Sequence, residues 1–124
     1  MKNIVALSML LLGCANGPTS ADACKKIEAA GLAKNCIEKK PGGLGAASDS
    51  TWSADLVEVP GEKLQVMHFP NEDTFTATVK SFEGAAFIAG PHRYSNKERR
   101  IFVQANNGLS LEGGKKLKSV VENL

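Results

Sequence analysis

The segment 52-WSADLVEVPGEKLQVMHF-69 predicts the strand pair on which the rest of the fold is built. Apolar residues alternate along its first half, which predicts a strand over 52–59, and a second strand follows over 64–69. Between them, Pro60-Gly61 is typical of a type II turn, because proline presets φ and glycine accepts a positive φ. The segment therefore predicts an antiparallel β-hairpin.

Residues 71–83, which follow this hairpin, combine helical and strand signals. Phe75, Val79 and Phe82 recur at helical spacing behind a capping residue, Asn71, whereas the threonine-rich alternation within the same segment also fits a strand. We interpret the segment as a helix because the capping residue and the apolar stripe agree.

The last forty residues repeat the same order of elements. An apolar run over 85–94 predicts a bent strand, 95–97 a turn, and 101–104 a further strand. Ser110 can cap a closing helix whose apolar stripe continues to Leu124. Residues 51–124 therefore read β-β-α-β-β-α. We predict an α+β domain with a four-stranded antiparallel sheet and two helices on one face.

Upstream of this domain, residues 22–50 predict a helical hairpin and a loop. Asp22 can cap the first helix, and Gly31 suits the left-handed position that ends it. Cys24 and Cys36 are twelve residues apart, which in one unbroken helix would separate their Cα atoms by roughly 18 Å. Because a disulfide needs less than about 7 Å, bridging requires the chain to turn back near Gly31. We predict that disulfide. A metal half-site is the alternative, but it lacks further ligands at recognisable spacing.

The N-terminal residues have the features of an export signal. Lys2 precedes an apolar run over 4–12 that covers roughly 14 Å as a helix, too short to span a bilayer. The run stops at Leu11-Leu12-Gly13-Cys14, which resembles the lipobox of bacterial lipoproteins.

That resemblance implies a lipid-anchored envelope protein. Residues 1–13 would be removed as a signal peptide, Cys14 would carry diacylglycerol and palmitate-type acyl chains, and 14–21 would form a flexible tether. Ala15 after the acylated cysteine favours the outer membrane, on either its periplasmic or its surface face. An exported cysteine pair is also the kind that oxidises, which agrees with the Cys24–Cys36 prediction.

The body shows a second resemblance over residues 52–124. Its motifs Gly90-Pro91-His92-Arg93-Tyr94 and Ile101-Phe102-Val103-Gln104, with the closing Leu-Lys-Ser-Val-Val helix, look like those of small lipoproteins of unassigned function from myxobacteria-like genomes. This resemblance implies no activity.

Composition and motifs restrict the function classes. The chain carries 15 Lys and Arg residues against 13 Asp and Glu, and only Lys2 is lost with the signal peptide, so nucleic acid is not an expected partner. No nucleophile elbow, phosphate-binding glycine loop or zinc-protease motif occurs in the sequence. We therefore predict no catalytic residues, no metal site and no cofactor.

One polar cluster on the second hairpin is the predicted binding surface. Its guanidinium, imidazole and phenol groups can bind a carboxylate, a phosphate headgroup or the acidic edge of a protein. The alternative is that these polar groups are simply solvated at the end of the hairpin. The lysines at 115, 116 and 118 are likewise explained as the solvated face of a helix. The cluster consists of His92, Arg93, Tyr94, Arg99 and Arg100.

These observations favour a non-catalytic binding or accessory domain on the envelope, with the membrane as one partner through the anchor and an envelope protein or an anionic ligand as the other. The alternatives are a structural component of an envelope assembly and a small envelope enzyme that uses His92 and Tyr94 as acid and base.

Overall fold

A computed structural model describes residues 18–124. The predicted signal peptide, the lipobox, Cys14 and the first half of the predicted tether, residues 14–17, lie outside these residues. In residues 18–124 the chain forms an α+β fold with a five-stranded antiparallel sheet and four helices. The strands are β1 (Ala33–Lys39), β2 (Ser50–Leu56), β3 (Lys63–His68), β4 (Arg93–Asn96) and β5 (Ile101–Ala105). The helices are α1 (Ser20–Ala29), α2 (Glu72–Gly84), α3 (Ala86–Ala89) and α4 (Leu111–Glu122).

The predicted four-stranded sheet is wrong because β1 adds a fifth strand. The strand order is β1-β2-β3-β5-β4, so β1 and β4 are the edges. The first strand pairs with β2, and its register shifts between Lys34 and Ile37, where Asn35 has a φ of 60°. Because this bulged edge strand is largely exposed on both faces, it lacks the apolar alternation that would reveal it in the sequence.

The predicted helical hairpin is wrong because β1 takes the place of its second helix. Its first helix and its turn are present. Gly31 has a φ of 82°, its N–H donates to the Glu28 carbonyl, and the N–H of Leu32 donates to the Ile27 carbonyl. This is the predicted Schellman-type stop. The chain then continues as β1 instead of as a second helix.

The start of α1 differs from the prediction by three residues. Thr19 is the capping residue, and Asp22 completes a capping box: each main-chain N–H donates to the other residue's side chain, at 3.1 Å and 3.0 Å. The last two residues of the predicted tether, 20 and 21, are therefore helical.

The predicted disulfide is confirmed. Cys24 on α1 and Cys36 on β1 are bonded, with their Cα atoms 6.2 Å apart. Cys24 is fully buried, so the bond ties the first helix to the edge strand from within the core.

The helices cover both faces of the sheet, which corrects the prediction that two helices share one face. Side chains of Val66 and Val103 point to the face covered by α1 and α4. Their sequence neighbours, Met67 and Phe102, point to the other face and pack with the aromatic side chains of α2. We call these the α1/α4 face and the α2 face.

Within the body, the two predicted helices agree with the structure, whereas the strand predicted over 52–59 is Ser50–Leu56 and residues 85–94 do not form the predicted strand. Residues 71–83 are helical, with the Asn71 side chain accepting the Thr74 N–H at 2.9 Å. Ser110 caps α4 by accepting the Gly113 N–H at 3.0 Å. The alanine-rich first half of 85–94 forms α3 rather than a strand, because alanine strongly favours helix.

The turn of the second hairpin also lies later than predicted. Asn96 belongs to β4, and its side chain accepts the Arg99 N–H at 3.1 Å, which places the turn at residues 97–100.

Candidate functional site

His92 and Tyr94, the first members of the predicted binding surface, form a hydrogen-bonded pair beneath α4. Nε2 of His92 lies 2.7 Å from the Leu109 carbonyl oxygen, and its Nδ1 lies 2.8 Å from the Tyr94 hydroxyl oxygen. Because a carbonyl can only accept, Nε2 carries a proton, and in the tautomer that is protonated only there Nδ1 accepts from the Tyr94 hydroxyl. The imidazole is 5% exposed and both of its nitrogens are bonded inside the protein.

Two glycines allow α4 to approach this pair closely. A Cβ atom at Gly114 would lie 2.7 Å from the Tyr94 hydroxyl oxygen and 2.8 Å from Nδ1 of His92. At Gly113 it would lie 2.7 Å from both Glu58 Oε1 and Leu109 Cδ1. The glycines weaken the first turn of α4, but no larger residue fits these positions without displacement of the neighbouring side chains.

Burial under α4 changes the acidity of Tyr94. Desolvation raises the pKa of its phenol above the ordinary value of 10.0, and the nearby Lys118 ammonium opposes this shift.

Because Tyr94 is the only tyrosine in the chain, its titration can be read directly from phenolate absorbance. We expect the folded protein to titrate above the midpoint seen in denaturant. A folded pKa above the unfolded one means that this contribution to stability is complete below the unfolded pKa and is lost as the pH rises through the folded pKa. Absorbance titrations near 295 nm, with and without denaturant, measure both midpoints, and coincident midpoints would contradict the burial of the phenol.

The three arginines of the predicted surface bond to main-chain oxygens in three different places. Nε of Arg93 donates to Gly90 at 2.7 Å, Nε of Arg99 to Leu124 at 3.3 Å, and Nε of Arg100 to Phe69 at 2.9 Å.

The structure therefore divides the five predicted residues. His92 and Tyr94 lie together under α4, while Arg93 lies on the α2 face, paired across the sheet with Gln104. Arg99 and Arg100 lie in the turn at 97–100, where Arg100 borders a shallow pocket shared with Glu72, Lys97 and Glu98. Neighbours in a strand point to opposite faces, which is why adjacent residues in this motif separate.

An exposed apolar patch, which the sequence did not reveal, lies on the α2 face. Phe87 is 87% exposed and Ile88 is 75% exposed, both on the short helix α3. Leu44, in the short 3-10 turn Gly43–Gly45, is 46% exposed and lines a groove together with Ile88. The run of apolar residues at 85–89 is the sequence feature that could have indicated this surface. Because we predicted a strand there, we expected these side chains to be buried. We call Leu44, Phe87 and Ile88 the apolar patch.

The groove beside the patch is open, with a volume of about 260 Å³. Gln65 and Gln104 form its polar floor: Nε2 of Gln65 donates to Oε1 of Gln104 at 3.2 Å, and Nε2 of Gln104 donates to the Ala89 carbonyl at 2.7 Å. Its walls are apolar or glycine, so it can accommodate an apolar group over a floor of amides. The remaining lining residues are Gly42, Gly43, Gly45 and Phe82.

Within residues 18–124, no group of three or more His, Cys, Asp or Glu side chains is placed to hold a metal ion. None of the helices in these described residues combines the length and the hydropathy that a membrane span requires. Comparison of the chain with protein-family models, with curated proteins and with solved structures finds no match.

Proposed function

We propose that this chain is a non-catalytic binding or accessory domain, held on the bacterial cell envelope by lipid on Cys14, and that the apolar patch is its contact surface. The lipobox resemblance supports the anchor. The Cys24–Cys36 disulfide supports export, because such bonds persist in oxidising compartments.

The bonding of the polar side chains supports the non-catalytic part of the proposal. A general acid or base needs a lone pair or a proton that can reach a substrate. Both nitrogens of His92 are engaged within the protein, and α4 packs against the His92–Tyr94 pair at Gly114. The hydrogen bonds of His92 and Tyr94 fit a role in seating α4.

The apolar patch is the observation that carries the proposal. Phe87 and Ile88 are adjacent in sequence and almost fully exposed, although burying a large apolar side chain is favourable by about 1.5–3 kcal/mol. Two such side chains together on a small domain mark a surface that another apolar surface covers.

Photocrosslinking in cells tests this proposal. We expect benzoylphenylalanine in place of Phe87, a conservative change at an exposed position, to crosslink to an envelope component. The same group in place of Lys25, exposed on α1, is the matched control and should give little product. Benzoylphenylalanine in place of Lys97 tests whether the turn at 97–100 is a second contact surface.

Lipidation of Cys14 is measured separately in the same cells. Labelling with an alkyne fatty acid should mark the wild-type chain and leave the Cys14→Ser variant unmarked. A chain that is not labelled, or one that gives equal products at positions 87 and 25, would contradict the proposed function.

A further inference from the structure

The two glutamines on the floor of the groove form a hydrogen-bond chain with a fixed direction. Nε2 of Gln104 donates to the carbonyl oxygens of Ala89 at 2.7 Å and of Ala105 at 3.3 Å. Because a carbonyl can only accept, this nitrogen lies toward them, and Oε1 of Gln104 accepts from Nε2 of Gln65 at 3.2 Å. The orientation of the Gln65 amide is therefore set by main-chain carbonyls of α3 and β5.

Gln65 has hydrogen-bonding groups to spare in the groove. A side-chain amide carries two N–H donors and an oxygen that can accept. One N–H of Gln65 is used by Gln104, and within residues 18–124 its side chain makes no other hydrogen bond. Since Gln65 lines the groove, one oriented donor and one oriented acceptor are available to a ligand that binds there.

This floor selects against an acyl chain and against an anion. A purely apolar ligand would cover the donor and the acceptor of Gln65 without pairing them, which costs about fivefold or more in affinity for each group. None of the described residues that line the groove is charged, and Glu83, exposed beside Phe82, would repel an anionic group. The groove therefore favours a neutral ligand that has apolar sides and carries both a donor and an acceptor.

The shape of the groove favours a chain that passes over it. Sites that bury most of a small molecule have volumes of roughly 300–1,000 Å³. This groove is smaller, at about 260 Å³, and open. No protein atom lies within 4 Å of the position that a Cβ atom would take at Gly42 or Gly43, so its rim is free of neighbouring side chains there. A main chain can approach the floor along this rim.

An extended peptide has the matching groups. In an extended chain the N–H and the C=O of one residue point to the same side, as they do toward a neighbouring strand, so both can bond to the Gln65 amide at once. Successive side chains point to alternate faces of such a chain. They would lie toward the sides of the groove, where Leu44 of the 3-10 turn and Ile88 of α3 offer apolar contact. Phe87, beside Ile88 and 87% exposed, extends this contact.

We propose that the groove and the apolar patch bind an extended peptide segment of an envelope protein. The main chain of one peptide residue bonds to Gln65, and two adjacent apolar side chains of the segment pack on Leu44 and Ile88. This inference rests on the proposed function and names the chemical class of its partner.

Selection from a displayed library of short random peptides tests this inference. The target is the lipidated chain in phospholipid nanodiscs, and empty nanodiscs are the control. We expect the enriched peptides to share two adjacent apolar residues. A synthetic copy of an enriched peptide, capped at both ends and carrying a fluorophore, then gives a Kd by fluorescence anisotropy.

Removal of the Gln65 amide should weaken this binding. Gln65→Met keeps the length of the side chain and loses both hydrogen bonds to the peptide, so we expect a Kd about tenfold or more higher. Asn123→Leu is the matched control, because it removes an exposed amide at the end of α4, over the opposite face of the sheet, and should bind as the wild type does.

Methylation of the peptide nitrogens, one at a time, tests the same contact without changing the protein. At the residue that bonds to Gln65 it removes the N–H donor, and we expect a Kd about tenfold or more higher. Equal Kd values for the wild type and Gln65→Met, or a peptide that tolerates methylation at every position, overturn the inference. A selection that enriches no peptide over empty nanodiscs also overturns it. A crosslink at position 87 in cells, obtained alongside any of these results, leaves the proposed binding function in place.

Discussion

Replacing Cys24 and Cys36 together by alanine should lower the free energy of unfolding by about 3 kcal/mol. The bond closes a loop with a sequence separation of 12 and joins α1 to β1. Without it the unfolded chain gains conformational freedom, and the edge strand loses its covalent link to the core. Alanine is chosen over serine because Cys24 is fully buried and a hydroxyl there would need a partner.

Chemical denaturation of the oxidised wild-type domain and of the double variant measures this change. The reduced wild-type protein is the control, because it lacks the bond but keeps both side chains. It should lose nearly the same free energy as the variant. A loss below about 1 kcal/mol in both proteins would show that the bond contributes little to this fold.

Gly114→Val should destabilise the domain by about 2–3 kcal/mol. The added Cβ would lie 2.7–2.8 Å from the Tyr94 hydroxyl and the His92 ring, so α4 must move away or the pair must separate. Either change disturbs the hydrogen bonds of His92, and we expect the pKa of Tyr94 to fall toward its ordinary value as the phenol becomes hydrated.

Gly84→Ala is the matched control for this prediction. Gly84 is also helical, at the end of α2, but no atom lies within 4 Å of the position where its Cβ would be. Alanine there should raise the free energy of unfolding by up to about 0.5 kcal/mol through helix propensity, less than in a helix interior because Gly84 is the last residue of α2. Denaturation curves of the two variants should therefore shift in opposite directions. A Gly114→Val protein as stable as the wild type would contradict the close packing of α4 on the pair.

The five residues of the predicted binding surface were expected together on one hairpin, but the structure places them in different parts of the fold. His92 and Tyr94 do lie together, because residues two apart in an extended segment share a side. Arg93, between them, points to the opposite face of the sheet, and the turn at 97–100 directs Arg99 and Arg100 to separate carbonyls. The exposure of Phe87 was not predictable at all, because it depends on α3 forming a helical turn at the edge of the α2 face.

The sequence by itself determined the features whose energies are local. Gly31 ends α1, Asn71 and Ser110 cap their helices, and Gly61, with a φ of 88°, occupies the turn after Pro60. In each case the stabilising hydrogen bond or backbone preference acts within a few residues.

Only the tertiary structure decided the features that depend on distant partners. β1 is a strand because β2 and the disulfide hold it there, not because its own residues alternate. The placement of α2 and α4 on opposite faces follows from the route of the chain across the sheet, and both helices have the same kind of apolar stripe. An apolar stripe indicates that one side of a helix is buried. It does not identify the face of the sheet on which the helix packs, because burial is favourable on either face.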